Sequence, residues 1–196
     1  MPTIGVIICS QRTPRAGLHI GTSIWNDLQA TDAVRTNAVT LALVDLQKWN
    51  LPMYDEPDIP SQIHSSGQYL HPHTQRWSEE IASHSAFVFV TPQYNWGYPA
   101  SVKNAIDYLY HEWKGKPAMI VSYGGHGGGK AAEQLKQVLH GVRMRPVERT
   151  VGLTFPNKET LKIAAEGREL DLSFWERERR EVVEVFGEMI QLLEGL

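Results

Sequence analysis

The chain has one cysteine, Cys9, among 196 residues. A single thiol cannot close a disulfide within the chain, and a reducing compartment fits. The net charge is −3, so no bulk basic field argues for a nucleic-acid partner. No apolar run reaches the roughly 20 residues of a bilayer-spanning helix. The apolar start at residues 4–9 has no basic leader and no small-residue cleavage site after it, so it does not read as a signal peptide. A soluble, cytoplasmic protein with no membrane partner is the expectation. The G-x-G-x-x-G dinucleotide pattern is missing after the first apolar run, and no G-x-S-x-G elbow supplies a serine nucleophile. His64, His71 and His73 have no acid or thiol at ligand spacing in the sequence, which favours a surface loop over a metal centre. Cys9 falls in a buried run and reads as inert core.

What is present is alternation. The length suits one domain, residues 1–196. Apolar runs at residues 4–9, 38–46, 86–90 and 118–122 predict strands, and residues 145–155 hold a fifth. Amphipathic stretches at 17–30, 69–83, 100–110, 130–140 and 172–193 predict helices. A connection containing Pro52, Pro57 and Pro60 separates the second strand from its helix. This order predicts an α/β fold, a doubly wound five-stranded parallel sheet with helices on both faces. Such sheets bind ligands outside the carboxyl ends of their strands. The loops after strands one, three and four are therefore the candidate site.

The first loop, residues 10–17, carries Ser10, Arg12 and Arg15 ahead of a predicted helix start. Hydroxyls, guanidinium forks and free helix N–H groups together suit a phosphate, although a solvated basic turn has the same composition. The third loop runs Pro92-Gln93-Tyr94-Asn95-Trp96-Gly97-Tyr98-Pro99. Tyr94, Trp96 and Tyr98 at a solvent-reachable strand end suit a planar ligand or a subunit interface. Gln93 and Asn95 can meet the edge of a heteroaromatic ring. The fourth loop runs Tyr123-Gly124-Gly125-His126-Gly127-Gly128-Gly129-Lys130, where backbone can approach a ligand closely. Its G-x-x-x-x-G-K spacing is followed by Ala131, so the hydroxyl that a nucleoside-triphosphate site uses to hold magnesium is missing.

The third-loop segment and the following Ser101-Val102-Lys103-Asn104-Ala105-Ile106-Asp107 resemble the signature of the flavodoxin-like NAD(P)H-dependent FMN reductase family. Ser10-Gln11-Arg12 and residues 123–128 resemble that family's other two loops. Residues 110–113 and 138–141 are most similar to its fungal cytosolic FMN quinone reductases. Gln93 departs from the pattern, which has Glu there in many members. The resemblance implies FMN held by Ser10, Arg12, Arg15, the segment Pro92 to Trp96 and the segment Tyr123 to Gly127. It implies NADPH or NADH as electron donor, a small-molecule acceptor such as a quinone, and a homodimer or a tetramer. It implies that the flavin carries the chemistry, with no protein nucleophile and no metal. The rival reading is a flavin-binding redox sensor without turnover.

Overall fold

The computed structural model describes residues 1–36 and 38–195. Asn37 and Leu196, where the expected single domain ends, lie outside the described residues. The elements follow in the order β1 (Thr3–Ile8), α1 (Gly17–Gln29), α2 (Asp32–Arg35), β2 (Thr40–Asp45), α3 (Leu46–Trp49), α4 (Pro72–Ser83), β3 (Ala86–Pro92), α5 (Ala100–Asp107), β4 (Pro117–Gly124), α6 (Gly129–Gly141), β5 (Arg145–Pro146), β6 (Val151–Thr154), α7 (Lys158–Ala165) and α8 (Glu176–Glu194). The strands form one sheet in the order β2-β1-β3-β4-β5, with β6 also on β4. Every pairing is parallel. This is the doubly wound parallel sheet expected from the alternation, in the strand order of the flavodoxin-like fold that the resemblance implies.

Both faces of the sheet are covered, which is why the strands are apolar almost throughout. On one face Ile4, Val6, Val88 and Val121 pack with Ile20 and Ile24 of α1 and with Val182 and Phe186 of α8. On the other, Ile7, Phe87, Phe89 and Ile120 pack with Trp77 of α4, Ile106 of α5 and Leu135 of α6. Register brings the site loops level. Ile8 stands opposite both Asp45 and Val90, and Val90 opposite Val121.

Several boundaries differ from the sequence pattern for identifiable reasons. β2 stops at Asp45, because the Asp45 carboxylate accepts the Gln47 N–H at 3.1 Å and starts α3. Leu46, an expected strand residue, is therefore helical. Pro72 opens α4, so residues 69–71 precede the helix. The segment expected to hold the fifth strand holds two short pieces on the same edge of β4, β5 at its start and β6 at its end. α7 was not expected at all. Asn157 caps it by accepting the Thr160 N–H at 2.8 Å.

Candidate functional site

A cleft lies at the carboxyl ends of β1, β3 and β4. Arg12, Arg15 and Gly17 come from the first loop, Pro92, Gln93 and Tyr94 from the third, and Tyr123 and Gly124 from the fourth. Its remaining wall is Phe155 with Leu161, Ala164 and Ala165 of α7.

At one end the cleft is built for an anion. The first intrahelical bond of α1 runs from the Ile20 N–H to the Ala16 carbonyl, and Ala16 has no side chain to cap the turn. The N–H groups of the first turn are thus without helical partners, at the positive end of the helix dipole. Beside them lie two buried hydroxyls, Ser10 Oγ and Tyr123 OH, close to each other and with no other protein partner among the described residues. Hydroxyls buried without an outside partner are costly in a folded protein unless a ligand uses them. A Cβ on Gly17 would overlap both oxygens, so glycine is required for their close approach. Burial pushes the Tyr123 phenol up, which keeps it a neutral O–H donor. These groups fit the phosphate of FMN.

The two arginines divide their work. Arg12 is exposed and donates from Nη1 to the Ala165 carbonyl at 2.9 Å. Arg15 lines the cleft but is already paired within the protein. Its Nη1 and Nη2 donate to Asp45 Oδ1 and Oδ2 at 2.9 and 2.7 Å, and Nη1 also donates to the Ser10 carbonyl at 2.6 Å. The side chains of Arg15 and Asp45 are only 7% and 4% exposed. The fork of Arg15 is therefore committed to shaping the loop. Gln47 adds a second tie, donating from Nε2 to Thr13 Oγ1 at 2.6 Å.

The third loop leaves the cleft as a tight hairpin. Tyr94 and Gly97 exchange two backbone hydrogen bonds, of 2.9 and 3.0 Å. Asn95 and Trp96 between them both have positive φ, 45° and 73°. Turns of this kind favour Asn then Gly. Trp96 stands at the glycine position, and it is 65% exposed. A bulky residue in the left-handed region is strained by about 1–2 kcal/mol, and strain of this kind concentrates at functional sites. Trp96→Gly is therefore expected to stabilise the flavin-free protein by about 0.5–1 kcal/mol, the relief less the entropy cost of glycine. The same change should raise the KM for an aromatic acceptor. Thermal denaturation checks the first effect, and a Trp96→Gly protein less stable than the parent would refute the strain.

The fourth loop gives Tyr123 and Gly124 to the cleft, while Gly125 borders Leu161. His126 is exposed and does not line the cleft. Gly127 is structural: its carbonyl accepts from Ser122 Oγ at 2.7 Å, and a Cβ there would press on Thr154 Oγ1. Asn95 and Trp96 sit at the hairpin tip, outside the cleft lining.

The sequence reading missed Asp45 and α7. An acid closing an apolar strand marks the first, and an Asn cap followed by Glu159 marks the second. It also missed Asp55, far off in sequence, which faces His73 Nε2 at 3.3 Å and His71 Nε2 at 3.7 Å. Among the described residues no group of three or more His, Cys, Asp or Glu is arranged to hold a metal. Burial pushes the Cys9 thiol up, so it offers no thiolate. No helix of the described residues is long and apolar enough to cross a membrane.

Comparison with known proteins points the same way. A family model described as NADPH-dependent FMN reductase matches residues 2–157. The NAD(P)H-dependent FMN reductase LOT6 of Saccharomyces cerevisiae is 45% identical over 146 residues, 74% of this chain and 76% of that protein. A quinone reductase of Pseudomonas putida is 37% identical over 106 residues, 48% of this chain and 53% of that one. Among solved structures, FerB, a flavoenzyme NAD(P)H:(acceptor) oxidoreductase from Paracoccus denitrificans, superposes with a TM-score of 0.68. It covers 100% of this chain and 98% of its own at 23% identity, a likeness of fold.

Proposed function

The chain belongs to the NADPH-dependent FMN reductase family, and on that premise we propose how its cleft works and which acceptors it serves. It is an FMN-dependent NAD(P)H oxidoreductase. The observation that carries the site assignment is the pair of buried hydroxyls, Ser10 Oγ and Tyr123 OH, beside the first turn of α1. Those hydroxyls, the free N–H groups of that turn and Arg12 hold the phosphate. Arg15 holds the loop in shape through Asp45. Pro92, Gln93, Tyr94 and the adjoining Gly124 form the wall for the planar ring.

Bound FMN supplies the redox chemistry, hydride acceptance from NAD(P)H and delivery of two electrons to a second substrate. The protein's part is to seat the ring, present fixed donors to it and leave one face open. Tyr94 and Trp96 are exposed on the hairpin and offer stacking surface to a planar partner. Donor and acceptor take turns over the open side of the cleft. Quinones are the acceptor class we assign; azo compounds, free flavin and metal chelates are further small acceptors. We place the protein in the cytoplasm as a single unit over residues 1–196, assembled as a homodimer or tetramer through the aromatic hairpin side.

Steady-state NAD(P)H oxidation with a quinone tests the reading. Parallel double-reciprocal lines are expected, the pattern of ping-pong exchange. Lines that converge, or a flavin-loaded protein without turnover, would refute it. Solution mass measurement tests the assembly, and a monomer would refute that part alone.

A further inference from the structure

Gln93 links two of the three site loops. Its backbone N–H donates to the Tyr123 carbonyl at 3.1 Å. Its side-chain Oε1 accepts the backbone N–H groups of Lys130 and Ala131, at 3.1 and 3.3 Å. Those N–H groups belong to the first turn of α6, whose own cap residue, Gly128, has no side chain. Gln93 thus caps the helix from another loop.

This capping fixes the polarity of the amide. Two N–H donors face one branch, so that branch must be the oxygen. The other branch, Nε2, has no acceptor among the described residues, while Gln93 lines the cleft next to Pro92 and Tyr94. Its Cβ lies 3.7 Å from where a Cβ on Gly124 would stand, so the residue packs directly against the fourth loop.

We propose that Gln93 is a polarity-fixed donor, clamped by α6 so that its amide N–H2 meets the edge of the FMN ring. The inference rests on the cofactor reading above and adds a residue that sets the redox balance of the site. A neutral donor held toward the ring binds the electron-rich reduced form more strongly than the oxidised one, without reorganising when charge develops. A carboxylate at the same place would cap α6 equally well and favour the oxidised form.

The two roles separate by substitution. Gln93→Glu keeps an acceptor for α6, where negative charge suits the helix N-terminus, but withdraws the donor. Gln93→Leu removes both. Each variant is compared with the parent by thermal denaturation of the flavin-free protein and by titration with oxidised and with reduced FMN under anaerobic conditions. Gln93→Glu is expected to melt at or above the parent's temperature. Its preference for reduced over oxidised FMN should fall about tenfold, the scale of one hydrogen bond to a charged group. That is a midpoint potential lower by ~30 mV for a two-electron couple. Gln93→Leu should lose both melting temperature and preference. An unchanged preference in Gln93→Glu, in a parent that binds FMN, would overturn the inference alone. A drop in melting temperature as large as that of Gln93→Leu would overturn the clamp. A parent that takes up no FMN would overturn the cofactor reading and this inference with it.

Discussion

Arg15→Ala is expected to cost the flavin-free protein about 3–5 kcal/mol and to weaken FMN through the lost shape of the phosphate loop. The residue is half of a buried, bidentate ion pair with Asp45. Removing one partner strands the other charge in a site that water does not reach, and the cost is that of an uncompensated buried carboxylate. The Ser10 carbonyl also loses its donor at 2.6 Å, so the loop that carries the hydroxyl of Ser10 loses its shape. FMN loses the seat of its phosphate together with the stability of the loop. Urea denaturation with parallel titration of FMN and riboflavin measures this. In Arg15→Ala combined with Asp45→Ala the two losses should fall well short of additive, since the residues act as one unit. A stable Arg15→Ala protein that loses FMN but keeps riboflavin would show that the guanidinium leaves Asp45 for the phosphate.

Arg12→Ala should behave in the opposite way. Arg12 is exposed, and among the described residues its guanidinium has one protein acceptor, the carbonyl of Ala165. Stability should change little, because exposed contacts of this kind contribute little. FMN affinity should fall roughly 10–100-fold, the scale of a charge-assisted hydrogen bond worth ~1.5–3 kcal/mol. Riboflavin, lacking the phosphate, should bind nearly as before. Equal losses for both ligands would remove Arg12 from the phosphate site. The contact with Ala165 also means that a phosphate competes for Arg12 with α7, the helix that walls the cleft. FMN should therefore alter backbone hydrogen exchange in residues 158–166, whereas riboflavin should not.

The contrast between the arginines shows where the sequence was legible. The parallel sheet could be read because continuous apolar runs covered on both faces leave a strong pattern. The three loops stood out by their place at the strand ends and by their arginines, aromatics and clustered glycines. Which arginine is already paired within the protein could not be read. That depends on Asp45, 30 residues further on and brought level with the loop only by the register of β1 against β2. α7 was missed because it is only eight residues long and buries a single one, Ala164, too short a stripe to show a helical period. Trp96 in a position suited to glycine was invisible for another reason. A turn type is fixed by backbone pairing between Tyr94 and Gly97, and the residue names alone do not state it. The departure at Gln93 could be seen in the sequence, but its meaning lies in the N–H groups of Lys130 and Ala131.

The measurement closest to the central claim is the visible spectrum of the purified protein after incubation with FMN and removal of the excess. Retained flavin bands are expected, about one FMN per chain, bleached by NAD(P)H without oxygen and restored by a quinone. A protein that retains no flavin bands, or whose bands NAD(P)H leaves unchanged, would contradict the account.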